Sequence, residues 1–268
     1  MAVVTDIETA PRDRLSRARA LHWVLAAALA QACIASLQVG ATDVTLSAML
    51  AKFVQGEALS QMERVVLFDI RLPRLAMGVL VGAALAVSGA AMQGLFRNPL
   101  ADPGIVGVGA GAGLGAILAI VMGALLPVWM IDVVGNQMVP LAAFLGGWGS
   151  TILLYRVSTR GGRTSVATML LAGIALGALA GALSGILVYI ADDRQLRDLT
   201  FWGLGSLAGA SWTKVLSAGP LILLSIGAAL VLGRGLNGLA LGEATAAHIG
   251  IDVQRMKSIA ILAVAGAT

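Results

Sequence analysis

Ser88–Gly115 reads SGAAMQGLFRNPLADPGIVGVGAGAGLG. An apolar run of small residues stops at Arg97-Asn98-Pro99, turns through Leu100-Ala101-Asp102-Pro103 and resumes as an apolar run studded with glycine. A water-soluble domain has little use for two long uncharged helices joined in this way. In lipid, apolar surface gives helices no drive to associate, so small residues that let backbones approach take over. The polar turn then belongs outside the hydrocarbon.

Composition extends the same reading. The 268 residues are 58% hydrophobic and only 12% charged, about half the charge of a typical soluble domain. Mean hydropathy is +0.90, and one membrane domain is the natural organisation. Aromatics are scarce while glycine supplies 34 residues, as close helix packing in lipid requires. The net charge of +4 does not point to nucleic acid, because the arginines sit at the ends of apolar segments and no basic run interleaves with aromatics. Cys33, the lone cysteine, reads as a small buried hydrophobe.

A span needs about 20 apolar residues. Segments 21–42, 75–96, 103–131, 133–155, 166–191 and 215–233 qualify, and a seventh starts at 258–268. The 103–131 segment has room for tilt or a break. The long Ala/Leu/Gly runs lack the alternation of a membrane strand. Arg12, Arg14, Arg17 and Arg19 precede the first run as in a signal peptide, but further spans follow and no clear cleavage site does. We read residues 1–20 as a cytoplasmic tail and 21–268 as the membrane domain. Basic residues then concentrate inside, led by Arg156, Arg160 and Arg163, as the positive-inside rule demands.

Several motifs carry candidate chemistry. Gly173, Gly177, Gly181 and Gly185 form a row along one helix face, suited to helix packing or to lining a translocation path. Arg71 and Arg74 flank Pro73 in an expected outside turn, as interfacial anchors or as fixed cations for acidic groups of an external partner. Arg97, Asn98, Pro99 and Asp102 form a cytoplasmic turn. Leu241-Gly242-Glu243-Ala244-Thr245-Ala246-Ala247-His248-Ile249-Gly250 reads as a short helix with Glu243 at its positive end. It is either an interfacial helix or a rigid peg that a cytoplasmic motor can push.

The run Gly107–Gly115 lacks the strand–turn–helix setting of a dinucleotide loop, and no P-loop occurs. His22 and His248 lack partners at ligand spacing, so no metal site is expected, and no catalytic set is apparent. A proton-coupled secondary transporter would show intramembrane carboxylates, which are not evident in the spans. An intramembrane enzyme would show a catalytic set inside the spans, and a passive channel or signalling receptor would not need the 241–250 segment.

Five motifs together resemble the FecCD-type permeases, the membrane subunits of ABC importers for iron chelates, haem and cobalamin. They are RLPR at Arg71–Arg74, SGAAMQGLFRNPLADPG at Ser88–Gly104, LLAGIALG at Leu170–Gly177, FWGLGSL at Phe201–Leu207 and LGEATAAHIGI at Leu241–Ile251. The resemblance implies an all-α polytopic membrane protein with the type II ABC importer permease fold. It implies a homodimer in the bacterial inner membrane, with two cytoplasmic ATPase subunits below and a periplasmic substrate-binding protein above; the charge bias places the N-terminus in the cytoplasm. ATP and Mg would bind the ATPase and no cofactor this chain. Arg71 and Arg74 would then dock the binding protein, 241–250 would be the coupling helix, and the glycine row would face the path. The family has ten helices per subunit, whereas about six and part of a seventh are present here, so the chain looks truncated. The phrase RNPLADPGIVGV looks most like haem permeases, with cobalamin or a ferric siderophore as alternatives.

Overall fold

The computed structural model describes residues 11–268. Residues 1–10 of the expected tail, and the side chains of Arg12 and Arg14, lie outside the described residues. The chain packs as two compact units that meet in sequence at Ala76 and Met77.

The first unit begins with α1, Pro11–Gln38. No residue of its apolar stretch Leu15–Gln38 is fully buried by the rest of the chain, as expected of a helix facing lipid. α2 spans Leu46–Val54, with the Thr45 side chain accepting from the Ala48 N–H. α3, Gln61–Arg64, opens with a capping box in which Ser60 and Glu63 satisfy each other's backbone donors. It runs into a π-helical turn, Val65–Arg71, and then into α4, Leu72–Phe96. The expected outside turn at Asp69–Arg74 is therefore helical. Proline lacks an N–H, and its ring crowds the carbonyl four residues back. The wider π turn takes up that misfit at Pro73, with the Leu72 N–H reaching the Leu67 carbonyl.

The second unit takes up α4 from Met77. The expected 103–131 span is broken: a 3-10 turn, Pro103–Val106, leads into α5, Val108–Met122, followed by a second 3-10 turn at Gly123–Leu125 and α6, Val128–Val134. At 15 residues α5 is about 22 Å long, short of the ~30 Å hydrocarbon core. α7 consequently starts at Met138 rather than 133 and runs to Ser158. A two-stranded hairpin, β1 Thr159–Arg160 and β2 Arg163–Thr164, connects α7 to α8, Val166–Ile190. There follow α9 Asp193–Leu204, α10 Trp212–Val231, α11 Gly233–Ala240, α12 Glu243–His248 and α13 Val253–Ala267. Among the described residues, five helices are long and apolar enough to cross a membrane.

The glycine run after the opening turn is packing surface. A Cβ on Gly111 would strike the Gly146 carbonyl, and one on Gly115 the Ala142 carbonyl. Gly111-x-x-x-Gly115 of α5 therefore lies backbone to backbone on Ala142-x-x-x-Gly146 of α7, the small-x-x-x-small mode of lipid-embedded helices. The core of this unit gathers where α4, α7 and α10 finish and α5, α8 and α13 begin. Met92, Leu95, Val106, Leu154, Met169 and Ile261 are all essentially inaccessible there.

Candidate functional site

The turn that joins α4 to α5 is built residue by residue. Arg97 has φ 50°. The Asn98 N–H bonds the Gln93 carbonyl, and that of Arg97 the Gly94 carbonyl. This is a Schellman cap with arginine where glycine is usual. The Asn98 side chain accepts the Leu100 N–H at 2.9 Å, and Asp102 accepts the Gly104 N–H at 2.7 Å to start the next helical turn, with Pro103 at its first position. Ala101 is buried while Arg97, Asn98, Pro99, Leu100 and Asp102 are exposed.

In the first unit Arg71 is buried rather than aimed outward. The π turn brings it against α1, where its guanidinium donates to the Leu37 and Gln38 carbonyls and to the Thr42 hydroxyl. It thus caps the open C-terminal carbonyls of α1, a position that also favours positive charge. Gly40 leaves the room, since a Cβ there would meet the guanidinium. Arg71 and the exposed Arg74 line one recess of about 330 Å³, walled by Val39, Val66 and Ile70. The expected pair of outward cations is instead one cation at the rim and one at the wall.

The Leu241–Gly250 segment is a six-residue helix, Glu243–His248, held between glycines in the positive-φ region, Gly242 at 106° and Gly250 at 85°. Only glycine takes such angles without strain. Ala246 is fully buried and belongs to the core cluster, whereas Leu241, Ala244, Thr245, Ala247, His248 and Ile249 are exposed. The His248 ring bonds the Ala244 carbonyl within the same turn. Glu243, expected to serve only the helix N-terminus, also accepts from Lys257 at 2.7 Å.

Sequence reasoning overlooked that lysine. Lys257 is 1% exposed, and its ammonium also donates to the Thr164 carbonyl at 2.9 Å. Gln254 accepts the Thr164 N–H at 2.8 Å, and Ser258 bonds the Tyr155 hydroxyl at 2.7 Å. The signal was present: Gln254, Lys257 and Ser258 stand three and four residues apart, on one helix face. The glycine row divides. Gly173 is buried, but a Cβ on Gly177, Gly181 or Gly185 would meet nothing within 4 Å. The buried face of α8 runs through Met169, Gly173, Ala180 and Leu187, and a strict four-residue row rotates out of it.

An all-α bundle of apolar helices with these loops is a multi-pass membrane protein, and its fold is that of the type II ABC importer permeases. A solved structure described as an inward-facing metal-chelate type ABC transporter superposes with a TM-score of 0.76 at 30% identity, covering 92% of this chain and 73% of that one. Residues 28–268 match the FecCD transport family, and the chain belongs to it. The hemin transport system permease protein HmuU of Yersinia pestis is 46% identical over 189 residues, 70% of this chain and 55% of the relative. The cobalamin import system permease protein BtuC of Halobacterium salinarum is 41% identical over 202 residues, 75% of this chain and 52% of the relative. The vitamin B12 import system permease protein BtuC of Vibrio vulnificus is 42% identical, with 77% of this chain and 60% of the relative covered. The chain thus spans between half and two thirds of the length of these curated relatives.

Proposed function

We propose that the chain is the membrane-spanning subunit of an ATP-driven importer carrying haem or another metal chelate from periplasm to cytoplasm across the bacterial inner membrane. It works as a homodimer with two ATPase subunits and a periplasmic binding protein, and ATP hydrolysis belongs to the ATPase. The observation that carries this reading is α12: a short helix with an exposed outer face of Ala244, Thr245, Ala247 and His248, anchored inward through Ala246 and Glu243. That shape suits a part that is pushed, and nothing in it suits catalysis. Family membership supports the same assignment.

In this reading α12 seats in the ATPase, the Arg71–Arg74 recess receives an acidic side chain of the binding protein, and Gly177, Gly181 and Gly185 face the path or a second subunit. Small apolar side chains there would let a bulky cargo pass without retaining it. Relatives named for hemin and for cobalamin both match well, so the cargo is a tetrapyrrole or a ferric chelate, and haem is the one to test first.

Co-purification with an ATPase subunit, and uptake that stops when that ATPase is inactivated, are the expected results. Uptake that persists without ATP hydrolysis, driven by a proton gradient, would overturn the assignment in favour of a secondary transporter. A visible spectrum of the partner binding protein purified from its host separates the cargoes: a Soret band marks haem, and its absence moves the choice to cobalamin or a siderophore.

A further inference from the structure

Three pieces distant in sequence meet on one face of α13. Gln254 and Lys257 grip Thr164 by both backbone groups, its N–H at 2.8 Å and its carbonyl at 2.9 Å. Lys257 reaches the other way to Glu243, the first residue of α12, at 2.7 Å. Ser258 holds Tyr155 near the end of α7. A single helical turn of α13 thus ties together α12, the end of α7 and the 159–164 hairpin that leads into α8.

The joints between these pieces are rich in glycine. Gly242 and Gly250 flank α12, and Gly161 and Gly162 form the hairpin tip, all with positive φ. Push on such a segment and its glycines can absorb the displacement. A buried ammonium is also an expensive tie: desolvating it costs several kcal/mol, and well-packed apolar residues of similar volume often stabilise a fold as well or better. Lys257, at 1% exposure, is therefore better explained by position than by stability.

We propose that Lys257 is a positioning residue: with Gln254 it locks α12, the 159–164 hairpin and the head of α13 into one rigid transmission block. A displacement of α12 is then delivered to α7, α8 and α13 together instead of being lost in the glycine joints. This rests on the reading of α12 as the element the ATPase moves.

The test uses the full chain reconstituted with its ATPase and binding protein. Uptake per ATP is read on unlabelled chains, because Ala247 lies on the face assigned to the ATPase; distances are read on a Cys33→Ser background with spin labels at Arg160→Cys and Ala247→Cys, both exposed positions, diluted with unlabelled chain so that one subunit per dimer carries labels. The parent should give one narrow inter-label distance with and without nucleotide. Lys257→Met should spread that distance and lower uptake per ATP hydrolysed severalfold, and Lys257→Arg should restore both. A narrow distance in Lys257→Met overturns the proposal, and so does a broad distance with uptake per ATP intact. Should Lys257→Met fail to fold, Glu243→Gln at the half-exposed end of the pair carries the same two readouts for the α12 arm. If the ATPase does not bind the parent chain, the importer reading fails, while the distance measurement still decides whether the lock exists.

Discussion

Arg97 is the positive-φ residue other than glycine among the described residues, and a left-handed conformation costs an L-residue about 1 kcal/mol. Arg97→Gly should therefore stabilise the α4 cap by roughly 0.5–1 kcal/mol, read as a higher melting temperature in detergent; an unchanged or lower value would show that the arginine side chain repays its strain. Glycines that look equivalent in sequence should respond very differently. Gly115→Leu drives a side chain into the α7 backbone at Ala142 and should cost 3 kcal/mol or more, since overpacking with no room to relax exceeds the usual ~1–3 kcal/mol. Gly181→Ala meets open space and should leave stability unchanged or raise it by up to ~1 kcal/mol from helix propensity. If Gly181→Leu keeps the fold but abolishes uptake, that face lines the path or a second subunit. If both survive, it is lipid-facing surface.

At the scale of elements, the π turn Val65–Arg71 decides what the RLPR motif does. It contributes one residue more than an α-helix would use, which swings Arg71 onto α1. Deleting Phe68, whose side chain is exposed, should restore the α register and rotate Arg71 by about 100°. The carbonyls of Leu37 and Gln38 would then lose their guanidinium. A hydrogen bond to a charged group contributes about 1.5–3 kcal/mol, so Arg71→Ala and the Phe68 deletion should lower stability by similar amounts. Unchanged thermal unfolding in both would dissolve the capping assignment. Sequence spacing places Arg71 and Arg74 side by side in a turn, because proline ordinarily signals one. It does not reveal that a π turn can carry a proline through a continuous helix.

For the whole molecule, the proposal that the Arg71–Arg74 recess receives the binding protein predicts a screened interaction. Arg74→Glu should weaken binding-protein affinity strongly at low ionic strength and little near 1 M salt, where the screening length falls from about 10 Å to about 3 Å. An effect independent of salt would mean that Arg74 is an interfacial anchor. Much of the architecture is legible in the sequence. Uncharged runs of spanning length, glycine-rich stretches and a polar Asn98–Asp102 turn specify an all-α membrane bundle, because hydrocarbon leaves the backbone no other way to satisfy its hydrogen bonds. Those features need only local pattern and composition. Which glycines touch, why the 103–131 segment breaks into short helices, where Arg71 points and what Lys257 holds depend on residues from 14 to 93 positions apart meeting in space. Periodicity along one chain carries no information about such meetings, so only the tertiary structure separates Gly111 from Gly181, or turns one lysine among three into the tie between α12 and the hairpin.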